Sequence, residues 1–164
     1  MSHATVRPAT RADLHALWDA FAEIAAAGET YVQDATTTEA EFVTYWCGRG
    51  GEQWVAEIEG RVAGGYTLRP NHPGRGAHVG TASYVVAKGA RGHGIGRLLG
   101  EHSIERARAM GFAALQFNFV VATNIPAVRL WESLGFRVLA RLPEVFEHAQ
   151  LGRTDALVMF REID

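Results

Sequence analysis

The run Arg91-Gly92-His93-Gly94-Ile95-Gly96 is the densest concentration of chemistry in the chain. Its glycines let the backbone turn tightly and approach a ligand closely. The apolar spacing that follows, through Leu98, Leu99, Ile104, Ala107 and Met110, predicts a helix ending at Gly111. A helix's first turn carries unpaired N–H groups and the positive end of the macrodipole. A glycine loop that opens such a helix is a seat for a pyrophosphate. Arg91 and Arg97 would add charge-assisted contacts to phosphate oxygens. The plain alternative is a left-handed glycine turn that holds no ligand. Two other nucleotide motifs are excluded. A dinucleotide fingerprint needs a third glycine where this chain has Arg97, and an acid about 20 positions on, where Ala113 to Gln116 stand. An ATPase-type loop ends in Gly-Lys-Ser/Thr, but Lys88, the one lysine, precedes this loop.

A second polar signal lies in the strand expected over Phe112 to Val121. Its period of two puts Leu115, Phe117, Phe119 and Val121 on one face and Gln116 and Asn118 on the other. A central strand between helices is normally apolar on both faces. A buried asparagine needs hydrogen-bond partners. Asn118 therefore either bonds to a neighbouring loop or contacts a substrate in a cleft.

The strand Ser83-Tyr84-Val85-Val86, followed by Arg91-x-x-Gly94-x-Gly96 at a helix start, resembles the acetyl-coenzyme A motif of the GCN5-related N-acetyltransferase (GNAT) family. The later run Asn124-x-x-Ala127-x-x-Leu130-Trp131-x-x-Leu134-Gly135-Phe136 is similar to that family's asparagine-helix-glycine-phenylalanine signature. The resemblance implies acetyl-coenzyme A as co-substrate, wedged between the strand ending at Val86 and the strand ending near Val121. Backbone groups of Tyr84, Val85 and Val86 would pair with the pantetheine arm as an added strand does. The loop from Arg91 through Gly92, His93, Gly94, Ile95 and Gly96 to Arg97 would hold the pyrophosphate, with His93 contributing its backbone. Asn124 would reach the pantetheine, cap the helix that Pro126 enters, or do both.

The implied reaction is acyl transfer from a thioester to a primary or secondary amine, by direct attack in a ternary complex. An amine attacks only when neutral, so a base or a water chain must take its proton. The oxyanion needs an N–H donor, for which the end of the Tyr84 strand is placed. Family members often put a proton-donating tyrosine where this chain has Trp131. An indole N–H gives up no proton near neutral pH, so that role is not transferred. Tyr84 and Glu29 stand as acid/base candidates, Tyr31 and Asn118 as acceptor contacts, and His78 and His148 as open positions. Trp131 itself fits core spacing with Val128 and Leu134. The run Asn118-Phe119-Val120-Val121-x-Thr123-Asn124 is similar to one in acetyltransferases acting on proline analogues, which points to a small amino-acid-like acceptor. The missing tyrosine keeps open a non-catalytic acyl-coenzyme A sensor. A protein or peptide acceptor is the other alternative. Family habit also raises a homodimer.

These residues need a scaffold. Thr5 to Pro8 reads as a strand, and Thr10 with Asp13 opens a helix running to Gly28. Thr38 with Glu41 caps a second helix, ended by Gly48. Trp54 to Ile58 and Val62 to Arg69 form a hairpin about Glu59-Gly60. His78 to Ala87 is the strand before the glycine loop. Phe136 to Leu142 and Asp155 to Ile163 close the chain, with Pro143 to Gly152 between them as a hairpin loop or lid. The order β-α-α-β-β-β-α-β-α-β-β predicts an α/β (α+β) fold: a mixed, splayed sheet of about seven strands flanked by about four helices.

At 164 residues the chain has the length of a single domain. Hydrophobic residues at 48% and charged residues at 21% describe a globular protein rather than a disordered one. A net charge of -2 offers no general basic field for nucleic acid. No apolar run approaches the roughly 20 residues that span a bilayer, and no basic start leads into a secretory apolar segment. The single cysteine, Cys47, excludes an internal disulfide and a cysteine metal cluster. No metal site is read, and the expected location is cytoplasmic.

Overall fold

A computed structural model describes residues 4–164. Seven strands form one sheet in the order β1-β2-β3-β4-β5-β7-β6. They are β1 (Thr5–Pro8), β2 (Glu52–Ile58), β3 (Arg61–Pro70), β4 (Val79–Val86), β5 (Ala114–Val121), β6 (Arg137–His148) and β7 (Gly152–Glu162). The helices are α1 (Asp13–Ala27), α2 (Glu39–Cys47), α3 (Ile95–Ala109) and α4 (Ile125–Ser133). The expected element order is borne out, as is the mixed sheet.

Two local signals act as read. Thr38 and Glu41 complete a capping box at α2. Gly28 ends α1 with φ of 66°, a left-handed cap that suits glycine. At α1 the box is only half made: Asp13 accepts from the Thr10 amide at 2.7 Å and from its hydroxyl at 2.9 Å. The same carboxylate is held by Arg7 at 2.7 and 3.0 Å.

The sheet separates two cores. On one face α1 and α2 pack Leu17, Phe21, Phe42 and Trp46 onto Val55 and Val85. On the other, α3 and α4 bury Ile95, Leu99, Trp131 and Leu134 against Tyr66, Leu115 and Phe117.

The sheet opens in its middle. β4 and β5 run parallel and pair only at Val79 with Ala114 and Gly80 with Leu115. Beyond Gly80 the strands diverge, because β5 stays paired with β7 while β4 stays paired with β3.

The structure corrects two sequence readings. Pro143 to Gly152 is not a loop or lid. β6 continues through its first part to His148, with Phe146 opposite Thr154 and His148 opposite Gly152. The interruption is a bulge between Leu142 and Phe146, where Pro143 lacks an N–H. Glu144 turns there with φ of 51° and donates its amide to Asp155 Oδ1 at 2.9 Å. In β5, a register shift between Phe117 and Val120 breaks the period of two. Val120 therefore joins the buried face with Leu115 and Phe117, while Phe119 leaves it. Asn118, at that bulge, is exposed rather than buried.

Candidate functional site

The divergence of β4 from β5 leaves backbone groups without a strand partner. Asn71 donates to the Val79 carbonyl at 2.8 Å, and Ala87 to the Ala63 carbonyl at 2.9 Å. These two bonds fix the register: odd-numbered β4 residues bond to β3, and even-numbered ones turn toward β5. His78, even-numbered, accordingly accepts from Ala113 at 2.9 Å. Past Gly80, the N–H groups of Tyr84 and Val86 therefore face the open cleft. Val85 does not. Its backbone is committed to β3 and its side chain is 1% exposed in the α1–α2 core.

The glycine loop sits at the same end of the cleft. Gly92 and Gly94 both have φ of 77°, which side chains with a Cβ adopt only under strain. A Cβ built on either meets nothing within 4 Å, so the space before them is open. Gly94 is the N-cap of α3 and offers no side chain to its amides. The first helix-type bond is Leu98 N–H to the Gly94 carbonyl at 3.0 Å. The amides of Ile95, Gly96 and Arg97 precede it, exposed to an anion at the positive end of the helix. Arg91 is exposed and makes no side-chain hydrogen bond among the described residues. His93 donates through Nδ1 to the Arg91 carbonyl at 2.9 Å, which braces the loop. Arg97 is already held, by Ser133 at 2.7 Å and Glu101 at 3.4 Å, so it ties α3 to α4. Across the cleft Asn124 caps α4 by position, but its side chain bonds to nothing among the described residues. It is half-buried, with its amide free.

Both tyrosine hydroxyls are committed. Tyr31 donates to the Tyr84 carbonyl at 2.5 Å. Ser103 donates to the Gly100 carbonyl at 2.7 Å, so the 2.7 Å contact between Tyr84 and Ser103 hydroxyls uses the Tyr84 proton. Burial pushes both phenols well above their ordinary range. Neither is a ready acid or base near neutral pH. Trp131 packs 4.7 Å from Tyr84 and 4.8 Å from Phe117, and is 7% exposed. Glu29 is exposed and has no partner among the described residues. His78 is exposed. His148 Nδ1 accepts the amides of Gln150 and Leu151 at 3.1 and 3.3 Å, closing the β6–β7 turn.

On the α1–α2 side the cleft has a polar floor of which the sequence announced only Gln116 and Asn118. Tyr45 and Ser83 hydroxyls meet at 2.5 Å. Arg69 lies 5.1 Å from the Tyr45 ring centre and reaches Ser83 at 3.4 Å. Asn71, 4% exposed, exchanges bonds with Asn118 at 2.7 and 3.3 Å. Gln116 adds a third bond to Asn118 at 2.9 Å. Asn118 thus bonds to the residues after β3, the first of its two expected roles. Over this floor the β6–β7 turn reaches α1: Ala149 donates to the Gly28 carbonyl at 2.9 Å. Tyr45 and Arg69 could be missed because a tyrosine in an amphipathic helix and an arginine before a proline read as ordinary surface residues.

A sheet split beside a glycine-capped helix can receive an extended, phosphate-bearing thioester. The sequence pattern of the Acetyltransferase (GNAT) family matches residues 14–136, which include both strands of the split and both flanking helices. The chain belongs to the GNAT acetyltransferase family. Acetyl-coenzyme A is the co-substrate of that family. The chain is 44% identical to a GCN5-related N-acetyltransferase from Kribbella flavida, with 97% of each chain covered and a TM-score of 0.93. It is 26% identical to the acetyltransferase yncA from Salmonella typhimurium, solved with acetyl-CoA, over 99% of this chain and 95% of that one, with a TM-score of 0.86. It is 31% identical to a ribosomal-protein-alanine N-acetyltransferase from Brucella melitensis, over 96% and 99%, with a TM-score of 0.85. Among curated relatives, it is 40% identical to protein SPT10 of Saccharomyces cerevisiae over 56% of this chain. It is 41% identical to N-acetyltransferase aca1 of Schizosaccharomyces pombe over 46% of this chain. The matches span 14% and 36% of those two proteins. No helix among the described residues is long and apolar enough to cross a membrane.

Proposed function

We propose that this GNAT acetyltransferase moves the acetyl group of acetyl-coenzyme A onto the neutral amine of a small amino-acid-like molecule. The observation that carries the donor site is the cleft edge of β4, where the Tyr84 and Val86 amides stand unpaired beside the α3 N-terminus. Acetyl-coenzyme A supplies an activated acetyl thioester when bound. The amides of Tyr84 and Val86 hold its extended arm as a strand would. Gly92 to Arg97 supply N–H groups to the pyrophosphate, and the free Arg91 adds charge. Asn124 offers its unpaired amide from the opposite wall.

The acceptor enters from the α1–α2 side, over Tyr31 and Asn118. Tyr31 braces the Tyr84 carbonyl and so fixes the direction of the neighbouring amides. Tyr84, with its hydroxyl bound to Ser103, positions the strand and is no acid. Among the described residues the floor holds no side-chain base, so the amine loses its proton to solvent and the coenzyme A thiolate leaves to take one from solvent. A small acceptor is supported by the turn that reaches Gly28 and narrows this entrance. A peptide N-terminus is the second reading, supported by the likeness to the ribosomal-protein-alanine enzyme. The lone, exposed Cys47 fits a cytoplasmic site of action.

A thiol-release assay with acetyl-CoA tests this against a panel of amino acids, simple amines and short peptides. Turnover of small amino acids ahead of peptides is expected. Turnover of peptides alone overturns the small-acceptor reading, and acetyl-CoA binding without turnover of any amine overturns catalysis.

A further inference from the structure

Arg69 is a buried cation without a counter-ion. It is 9% exposed, and among the described residues it is the one buried base. The one buried acid, Asp13, is held by Arg7. A guanidinium has five N–H donors and keeps its charge at any ordinary pH. Here Nη2 makes a long contact of 3.4 Å to Ser83, and Nη1 is buried with no acceptor among the described residues. Burying a charge without a partner is costly, so such a group calls for an explanation.

Its place in the fold supplies one. Arg69 is on β3, opposite Thr81 on β4. Ser83 lies two residues further along the same face of β4, next in sequence to Tyr84, whose amide faces the cleft. The groups around the guanidinium are hydroxyls and amides: Tyr45, Ser83 and Thr81, with Asn71 and Asn118 beyond. Among the described residues no acid bonds to it. Tyr45 stands over it and also borders a hollow of about 330 Å³ lined by α2 and the loop before it.

We propose that Arg69 receives the carboxylate of the acceptor, so that the preferred substrates are amines that carry a carboxylate. This rests on the acetyltransferase reading above and names the acceptor class within it. With the Tyr45 ring turned toward that hollow, the guanidinium fork matches the two carboxylate oxygens, and the Ser83 hydroxyl, released from Tyr45, can donate to the same group. The amine is then presented toward the Tyr84 end of the split.

The test uses matched sets of acceptors. Each set is an amino acid, its carboxamide and the amine lacking that carbon, with α, β and γ spacings. Rates are referred to the fraction of neutral amine at saturating acetyl-CoA. Wild-type protein should prefer the acid over its carboxamide by about tenfold or more in kcat/KM. Arg69→Met should abolish that preference through KM, with carboxamide turnover retained, and Arg69→Lys should restore part of it. Wild-type acetyl-CoA affinity in Arg69→Met establishes that the variant is folded. Equal use of acid and carboxamide by wild type overturns the proposal. So does an equal loss on both in Arg69→Met, which would make Arg69 a support for Tyr45. Titration of the same acids and carboxamides into the coenzyme A complex reads the site without turnover. Acid binding that vanishes in Arg69→Met, in a protein that acetylates nothing, fails the reaction and upholds the site. No difference between acid and carboxamide binding fails the site.

Discussion

Replacing Gly94 by alanine separates the strain of the glycine loop from its binding role. Gly94 has φ of 77° and open space where a Cβ would stand. Gly60, in the β2–β3 turn, has the same φ of 77° and equally open space, far from the cleft in sequence and on another turn. A left-handed conformation costs a residue with a Cβ about 1–2 kcal/mol. Both Gly60→Ala and Gly94→Ala should therefore lose that much stability, a fall in Tm of roughly 2–8 °C for a chain of this size. Only Gly94→Ala puts a methyl group before the α3 amides. Displacing an anion from one or two of those amides forfeits charge-assisted bonds of about 1.5–3 kcal/mol each. Acetyl-CoA affinity should thus fall by about tenfold to a thousandfold or more. Calorimetric titration and thermal unfolding of both variants read the two effects separately. Equal stability losses with wild-type affinity in Gly94→Ala would refute the pyrophosphate assignment.

Other perturbations follow from named contacts. Arg7, chiefly through its hydrogen bond, lowers Asp13 from its ordinary value to about 2. The stability this pair supplies is present above the unfolded carboxyl's pKa of about 4 and is lost as pH falls toward 2. Asp13→Asn should cost on the order of 1–2 kcal/mol at pH 7 in urea melts, a penalty that closes at pH 2. Tyr31 and Tyr84 stay protonated through the working range, so kcat/KM should rise with pH as the acceptor amine loses its own proton. The inflection should move when acceptors of different amine pKa are compared; a fixed inflection would reveal an enzyme base. Trp131→Phe should lose about 1–3 kcal/mol of stability, read by denaturant unfolding, while acetyl-CoA affinity holds.

The donor side of the cleft was legible because its chemistry is local. Gly92 and Gly94 occur where a strand gives way to a helix, and each element has its own short-range signal. The pairing of Asn124 with Pro126 is similarly local. The acceptor side depends on tertiary contacts. Arg69 is buried where α2 brings Tyr45 over it, and nothing within a few residues of Arg69 encodes that. Asn118 was read on the correct face, but the bulge after Phe117 exposes it and shifts Val120 inward. One extra residue in a strand leaves no clear mark on apolar alternation. The long β6–β7 hairpin was hidden for a like reason, since Pro143 and Gly152 read as loop residues while the bulge at Glu144 lets pairing resume beyond them. Val85 shows the limit of a motif: its position in the run was right, but the register turns its backbone to β3.

The central claim is that the split between β4 and β5 is the donor site. Amide hydrogen exchange of the labelled protein, read by NMR before and after acetyl-CoA addition, tests it directly. Protection should appear at Tyr84, Val86 and the amides from Gly92 to Arg97, with Val85 already protected in the free protein. Binding that leaves Tyr84 and Val86 exchanging freely, with protection appearing elsewhere, would contradict the account.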